Sequence, residues 1–237
     1  MKYRLDAPLE ELLAQAKGKF RIAFEPLRVG STELSFLQIT NMASYLESLA
    51  AKTRGGEGVE LPLWAKIWPT ALLASVFVQK IPPRPETRML EIGTGVGVVG
   101  LFAAAAGHRV LLTDINPESL LFTRINAVKN ELADRAEVAS ADFTRDRLGE
   151  KFGLIVGCEV LYRQEAQMPL LDFLKAHILP GPDSEIILAV DQTRSAPAFF
   201  REAAKDFHVG AKTFNLGQEG GEEKTSAIFR LKPRFHD

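Results

Sequence analysis

Cysteine is almost absent. Cys158 is the only one in 237 residues, which excludes an intramolecular disulfide and a cysteine-rich metal site and fits a reducing compartment. Histidine is scarce as well. His108, His177, His208 and His236 are scattered without a spacing such as H-x-x-x-H, so no metal site is expected. There is no excess of one charge: 29 basic against 30 acidic side chains leave a net charge of -1, and nothing global draws the chain to nucleic acid or an anionic membrane. Long apolar runs are missing too. The longest, "VVGLFAAAAG", has about ten residues against the roughly 20 of a spanning helix. The N-terminal "MKYRLDAPLEELLAQAK" has no apolar run behind its basic start, and its leucines fall at roughly helical spacing among charges, which does not read as a signal peptide. These absences point to a soluble, cytoplasmic protein with neither a membrane nor a nucleic-acid partner.

What is present is ordinary globular composition, 46% hydrophobic and 25% charged, near the upper size of a single domain. From Met89 onward, short β-rich apolar runs alternate with helical segments, the pattern of an α/β domain with a mainly parallel sheet. Strands are expected at 88–92, 109–113, 136–140, 154–160 and 185–190. Later runs at 207–214 and 225–231, separated by "NLGQEGGEEK", read as an antiparallel pair closing the sheet. Helices are expected at 98–106, 117–129 with Pro117 in the first turn, 164–178 and 197–206. Upstream, "KFRIAFEPLRVGSTELSFLQI" reads as two strands joined at "VGST", followed by a helix through "NMASYLESLAAK" and a loose "TRGGEGVELP". Residues 1–60 are thus expected as an extension of hairpin and helix packed on a main domain at 61–237.

The stretch "MLEIGTGVGVVGL" runs from strand through closely spaced glycines into a helix. Such a turn lets backbone approach a ligand at a helix N-terminus. Gly95, Gly97 and Gly100 match G-x-G-x-x-G, with Asp114 nineteen residues after Gly95, as in a dinucleotide fold. Glu91, Gly93, Gly95 and Gly97 equally spell E-x-G-x-G-x-G, so the glycines alone do not choose a cofactor. Context does more: about 88 residues precede the turn, and downstream there is no Tyr-x-x-x-Lys or catalytic histidine pair of a nicotinamide dehydrogenase.

Here the residues resemble the class I, seven-β-strand methyltransferases that use S-adenosylmethionine. "LEIGTGVGVVGL" looks like their first motif, "VLLTDINPESL" like the second-strand motif ending in an acid, and "ASADF" like the loop after the third strand. More narrowly, "LPLWAKIWPTALLAS" and "CEVLYR" resemble the branch that methylates protein lysines without a SET domain, which carries a Trp-rich segment and an Asp/Glu-x-x-Tyr/Phe motif. Two residues depart from the pattern. Gly153 stands where the fourth strand often opens with aspartate, and the motif acid is Glu159 rather than aspartate.

The resemblance implies a Rossmann-like three-layer sandwich with a seven-stranded, mainly parallel sheet, S-adenosylmethionine as cofactor and a protein lysine as acceptor. It implies that Gly93, Gly95 and Gly97 pass close to the methionine part of the cofactor, with Glu91 beside the turn. Asp114 would accept from both ribose hydroxyls, leaving Asn116 to cap the helix at Pro117. Asp142 would accept from the adenine amino group and Phe143 would cover the ring, with Trp64, Ile115 and Cys158 completing the cofactor's surroundings. Trp64 and Trp68, four apart, would share a face if helical, as core packing or as pocket wall. Asn126 and Asn130 fall on a helix face of the family pattern. Glu159 and Tyr162, at the end of the fourth strand, would orient the lysine amine. A small-molecule acceptor, or a non-catalytic cofactor-binding protein, remains an alternative at this point, since fold does not settle function.

Overall fold

The computed structural model describes residues 2–52, 61–191, 196–219 and 222–234. Most of the expected loose segment after the second helix (53–60), the hairpin tip at 220–221 and His236 lie outside the described residues.

Seven strands form one sheet: β3 (Met89–Ile92), β4 (Val110–Asp114), β5 (Ala136–Ser140), β6 (Leu154–Cys158), β7 (Glu185–Asp191), β8 (Phe207–Glu219) and β9 (Glu222–Pro233). Their order is β5-β4-β3-β6-β7-β9-β8. The first five are parallel, and β9 pairs antiparallel with both β7 and β8. The sheet is therefore the expected one, closed by an antiparallel pair. Strand order reverses between β3 and β6, the kind of switch point where open α/β sheets bind ligands.

Side-chain alternation builds the layers. Met89, Val156 and Ile187 point into one core with helices α3 (Pro69–Val78), α4 (Val98–Ala105) and α5 (Pro117–Lys129). Leu90, Ile155 and Ile186 point into the other, with α6 (Gln164–His177) and α7 (Pro197–Ala203). Helix α5 begins where its sequence says it should. Asn116 Oδ1 accepts from the amides of Glu118 and Ser119, and Pro117 occupies the first helical position without missing a hydrogen bond.

The N-terminal stretch supplies α1 (Leu9–Lys17), the hairpin β1 (Ile22–Val29) and β2 (Thr32–Ile39), and α2 (Met42–Lys52). Leu12, Phe20 and Leu37 join the same apolar cluster as Val99 and Phe122. Glu118 on α5 takes Lys2 and Lys19, each at 2.6 Å, and Arg124 donates to the Leu5 carbonyl at 3.0 Å. Burial opposes ionisation of Glu118, but the lysine hydrogen bonds outweigh it and bring the carboxyl to about 2.

Three expectations need correction. The fourth parallel strand ends at Cys158 rather than 160, because Glu159 turns into the left-handed region with φ 55°. Trp64 and Trp68 do not share a helix. Trp64 sits in a short 3-10 turn at Leu63–Ala65, and Trp68 is extended as the cap of α3, since the proline after it disfavours helical backbone. Helix α7 stops at Ala203 and gives way to a turn before β8.

Position 153 is glycine for a steric reason. A Cβ there would lie 2.8 Å from Thr87 Oγ1.

Candidate functional site

The parallel strands β3 to β7 end on one edge of the sheet, and the polar turn residues gather there. After β3, Gly93, Gly95 and Gly97 all adopt positive φ, at 61°, 58° and 86°. Gly95 is required twice over: its backbone is left-handed, and a Cβ would lie 2.9 Å from the Trp64 carbonyl oxygen. Gly100 is required by close approach, since a Cβ would sit 2.6 Å from both Glu91 Oε2 and Leu112 Cδ2.

The turn is held from every side. The Gly95 amide donates to Asp114 Oδ2 at 3.0 Å, and its carbonyl accepts from Ser119 Oγ at 2.6 Å and Thr123 Oγ1 at 2.8 Å. Asn126 Nδ2 donates to the Val96 carbonyl at 2.9 Å. Glu91, buried under the turn, accepts from Thr94 Oγ1 at 2.6 Å and from the Gly100 amide at 2.9 Å. Burial outweighs those two hydrogen bonds and raises its carboxyl to about 7.

Asp114 ends β4 and is almost fully buried. Its Oδ1 accepts from the Asn116 amide at 2.9 Å and its Oδ2 from Gly95. Burial raises its pKa even so. The Ser119 hydroxyl and the Ile115 amide act on it as well, and a desolvated carboxylate still gains from further donors. Two adjacent hydroxyls, such as those of a ribose, fit this pair of oxygens.

Other expected cofactor residues are disposed less uniformly. Ile115, next to Asp114, is about half exposed, an apolar surface at the mouth of the turn. Asp142 follows β5, but its carboxylate is engaged locally: Oδ1 accepts from the Thr144 amide and hydroxyl at 2.9 and 2.6 Å, and Oδ2 pairs with Arg145 at 3.1 Å. Phe143 packs against the core with Leu90 and Ile155. The Trp64 ring stands edge-on to Phe122 at 5.1 Å and to Phe20 at 6.0 Å, so its indole is a staple, while its backbone abuts Gly95. Cys158 closes β6 between two acids. Burial first, then Glu91 and Glu159, push its thiol well up.

On the far side of the turn lie Glu159 and Tyr162. A left-handed φ at a glutamate costs of order 1 to 3 kcal/mol and persists where surroundings dictate it. Here the Glu159 amide donates to the Ala189 carbonyl, and its Oε1 accepts from the Asp191 amide, both at 2.9 Å. Tyr162 is about half exposed, with the Arg163 guanidinium 5.4 Å from its ring centre. The two strand ends meet: a Cβ on Gly93 would lie 3.0 Å from Val160 Cγ1. Leu61 and Leu63, on the segment that abuts Gly95, are exposed with Ile115 and Tyr162, leaving apolar surface on this edge.

Sequence reasoning passed over Ser119 and Thr123. The signal was a polar series at 119, 123, 126 and 130, which marks one helix face, and that face is turned inward. His108 and His177 prove structural: His108 Nε2 meets the Ile81 carbonyl, and His177 Nε2 accepts from the Leu148 amide.

Comparison with known proteins bears on the family and the fold. The family model described as lysine methyltransferase matches residues 47–207. The chain is 30% identical to mouse EEF1A lysine methyltransferase 3, over 64% of its own length and 67% of that protein's. It is 29% identical to protein N-lysine methyltransferase METTL21A of Danio rerio, over 53% of its length and 59% of that protein's. The chain thus spans about two thirds or less of the length of these relatives. Among solved structures, N-methyltransferase NodS from Bradyrhizobium japonicum, in complex with S-adenosyl-L-homocysteine, shares the fold with a TM-score of 0.55 at 17% identity, covering 79% of this chain and 97% of that one.

Proposed function

The chain belongs to the lysine methyltransferase family, and from that premise we propose that it transfers a methyl group from S-adenosylmethionine to a lysine side chain of another protein, in the cytoplasm. The observation that supports the reading is the close approach of Gly93 to Val160, which brings the glycine turn beside the segment carrying Glu159 and the exposed Tyr162. The named lysine methyltransferases among its relatives support a protein acceptor. The single cysteine is in keeping with a reducing compartment.

When bound, S-adenosylmethionine supplies an electrophilic methyl group on a positive sulfonium. The chain's own residues do the rest. Gly93 to Gly97 and Asp114 would hold the methionine and ribose ends, and Ile115 would offer apolar cover for the base. Phe143 lies beside that loop with its ring in the core, and the Asp142 carboxylate, engaged by Thr144 and Arg145, serves to shape the loop.

On the acceptor side, a lysine amine has a reference pKa about 3 units above neutral pH, so presenting it unprotonated costs roughly 4 kcal/mol. A carboxylate beside it raises that pKa. Glu159 therefore serves to receive and orient the charged lysine, fixed in place by the Asp191 amide. Tyr162 walls the slot or accepts from the amine. The ammonium would first give up its proton to water, and the neutral amine would then displace the sulfonium sulfur in line at the methyl carbon; the chain supplies alignment and desolvation, and no side-chain nucleophile is needed.

The test is to incubate the purified protein with methyl-labelled S-adenosylmethionine and a lysate of its own source, then separate protein, nucleic acid and small molecules. Label in discrete protein bands is the expected result. Label confined to small molecules would overturn the protein-acceptor reading.

A further inference from the structure

One side chain of α5 hydrogen-bonds both the N-terminal hairpin and the glycine turn. Asn126, fully buried on α5, accepts from the Leu37 amide of β2 at 2.8 Å through Oδ1 and donates to the Val96 carbonyl through Nδ2 at 2.9 Å. Val96 lies between Gly95 and Gly97. One amide group thus joins the hairpin strand to the glycine turn.

Four residues on, Asn130 makes a similar tie to the hairpin, and its Nδ2 also donates to the Asn126 carbonyl at 2.8 Å, but it does not bond the turn. Its Oδ1 accepts from the Ser35 amide and its Nδ2 donates to the Ser35 carbonyl, both at 2.8 Å. Ser35 and Leu37 are alternate residues of β2, so their amides point the same way, along the edge that β1 leaves open. The two asparagines act as the missing partner strand. Further ties fix α5 to the same stretch, at Glu118 with Lys2 and Lys19 and at Arg124 with Leu5. Through Ser119 and Thr123, α5 holds the Gly95 carbonyl as well.

We propose that Asn126 is a positioning residue for the cofactor: by bonding β2 and Val96 at once, it makes the N-terminal hairpin part of the cofactor site. The inference rests on the reading that the glycine turn holds S-adenosylmethionine. Glycine enters left-handed backbone at little cost, so the shape of the turn is set by the bonds made to it, and among the described residues Asn126 is the one side chain hydrogen-bonded both to the turn and to the hairpin. A burial role alone would lower stability, more at the fully buried Asn126 than at the half-buried Asn130, without lowering ligand affinity.

Coupling is reciprocal. If the tie favours the binding shape of the turn, ligand must in return steady the tie. The first measurement therefore uses the wild-type protein: hydrogen exchange with and without S-adenosylhomocysteine. Slower exchange is expected at residues 93–98 and also at 35–37 of β2, which lie behind α5 and away from the strand ends. The second compares Asn126→Ala with Asn130→Ala by calorimetry and thermal melting. Both are expected to melt lower, but affinity for S-adenosylhomocysteine should fall about tenfold in Asn126→Ala and change less than about twofold in Asn130→Ala.

Unchanged exchange at 35–37 on binding overturns the inference whether or not Asn126→Ala folds. So does a folded Asn126→Ala that binds as Asn130→Ala does. Failure of the wild-type protein to bind S-adenosylhomocysteine at all overturns the cofactor reading itself, whereas binding without coupling overturns only the role of Asn126.

Discussion

The Gly95 amide donates to Asp114 Oδ2 at 3.0 Å, so the acid at the end of β4 holds the turn that follows β3. One carboxylate thereby joins two neighbouring strand ends and, on the proposed reading, would also meet the ribose. Its substitution bears on both tasks.

Asp114→Ala is expected to weaken S-adenosylhomocysteine binding by at least about thirtyfold, since a hydrogen bond to a charged group contributes about 2 kcal/mol and more than one is lost. Isothermal calorimetry reads this directly. Unchanged affinity would remove the ribose role from Asp114.

Glu159→Gln and Tyr162→Phe lie across the turn from Asp114 and are expected to behave oppositely. Cofactor affinity should stay within about twofold while turnover on a protein acceptor falls by about tenfold or more, the pattern of a lost transition-state contact. Single-turnover transfer assays beside calorimetry separate the two effects. A variant that loses binding and keeps turnover at saturating cofactor would reverse the assignment.

Gly100→Ala places a methyl group 2.6 Å from both Glu91 Oε2 and Leu112 Cδ2 in a closed core. Overpacking of this kind costs about 1 to 3 kcal/mol, and at this chain length each kcal/mol lowers Tm by about 2 to 4 °C. Thermal melting should show the drop, and a variant as stable as wild type would contradict the packing around Glu91.

Glu91 gives the fold a pH dependence of definite sign. Its carboxyl is raised from 4.5 to about 7 in the folded chain, so the folded state holds the proton more tightly than the unfolded one. The stability it contributes is fully present below about pH 4.5 and is lost as pH rises through about 7. Glu91→Gln removes that titration, and from about pH 5 to about pH 8 its stability relative to wild type should rise by about 2 to 3 kcal/mol. Denaturant unfolding at several pH values tests it, and parallel profiles for the two proteins would contradict a buried, protonatable Glu91.

Much of this was legible in the chain. Helix α5 runs over the residues its proline and periodicity indicate, Asn116 caps it, and the sheet strands fall within a few residues of their apolar runs. These features follow from local rules: φ fixed by proline, amide donors needing a cap, apolar side chains alternating across a buried strand. The glycine turn was legible because only glycine fits it.

What escaped the sequence depends on contacts between distant segments. Nothing local marks Glu159 as left-handed. That conformation comes from the Ala189 carbonyl and the Asp191 amide on β7. Asp142 is the local exception, since Thr144, two residues on, bonds its carboxylate within the same turn. The sequence puts Asn126 and Asn130 on one face of α5 but does not show that the hairpin and the turn take up its polar groups. For Trp64 and Trp68 the clue was present, since Pro69 forbids a single helix through both.

The most direct measurement is to identify the amino acid that receives the methyl group. Protein labelled by the purified enzyme with methyl-labelled S-adenosylmethionine is digested and the modified residue located by mass spectrometry, with Glu159→Gln in parallel. Methylated lysine, formed by the wild-type protein and strongly reduced in the variant, is the predicted result. Label on another residue type, or equal lysine methylation by Glu159→Gln, would contradict the account of the acceptor side.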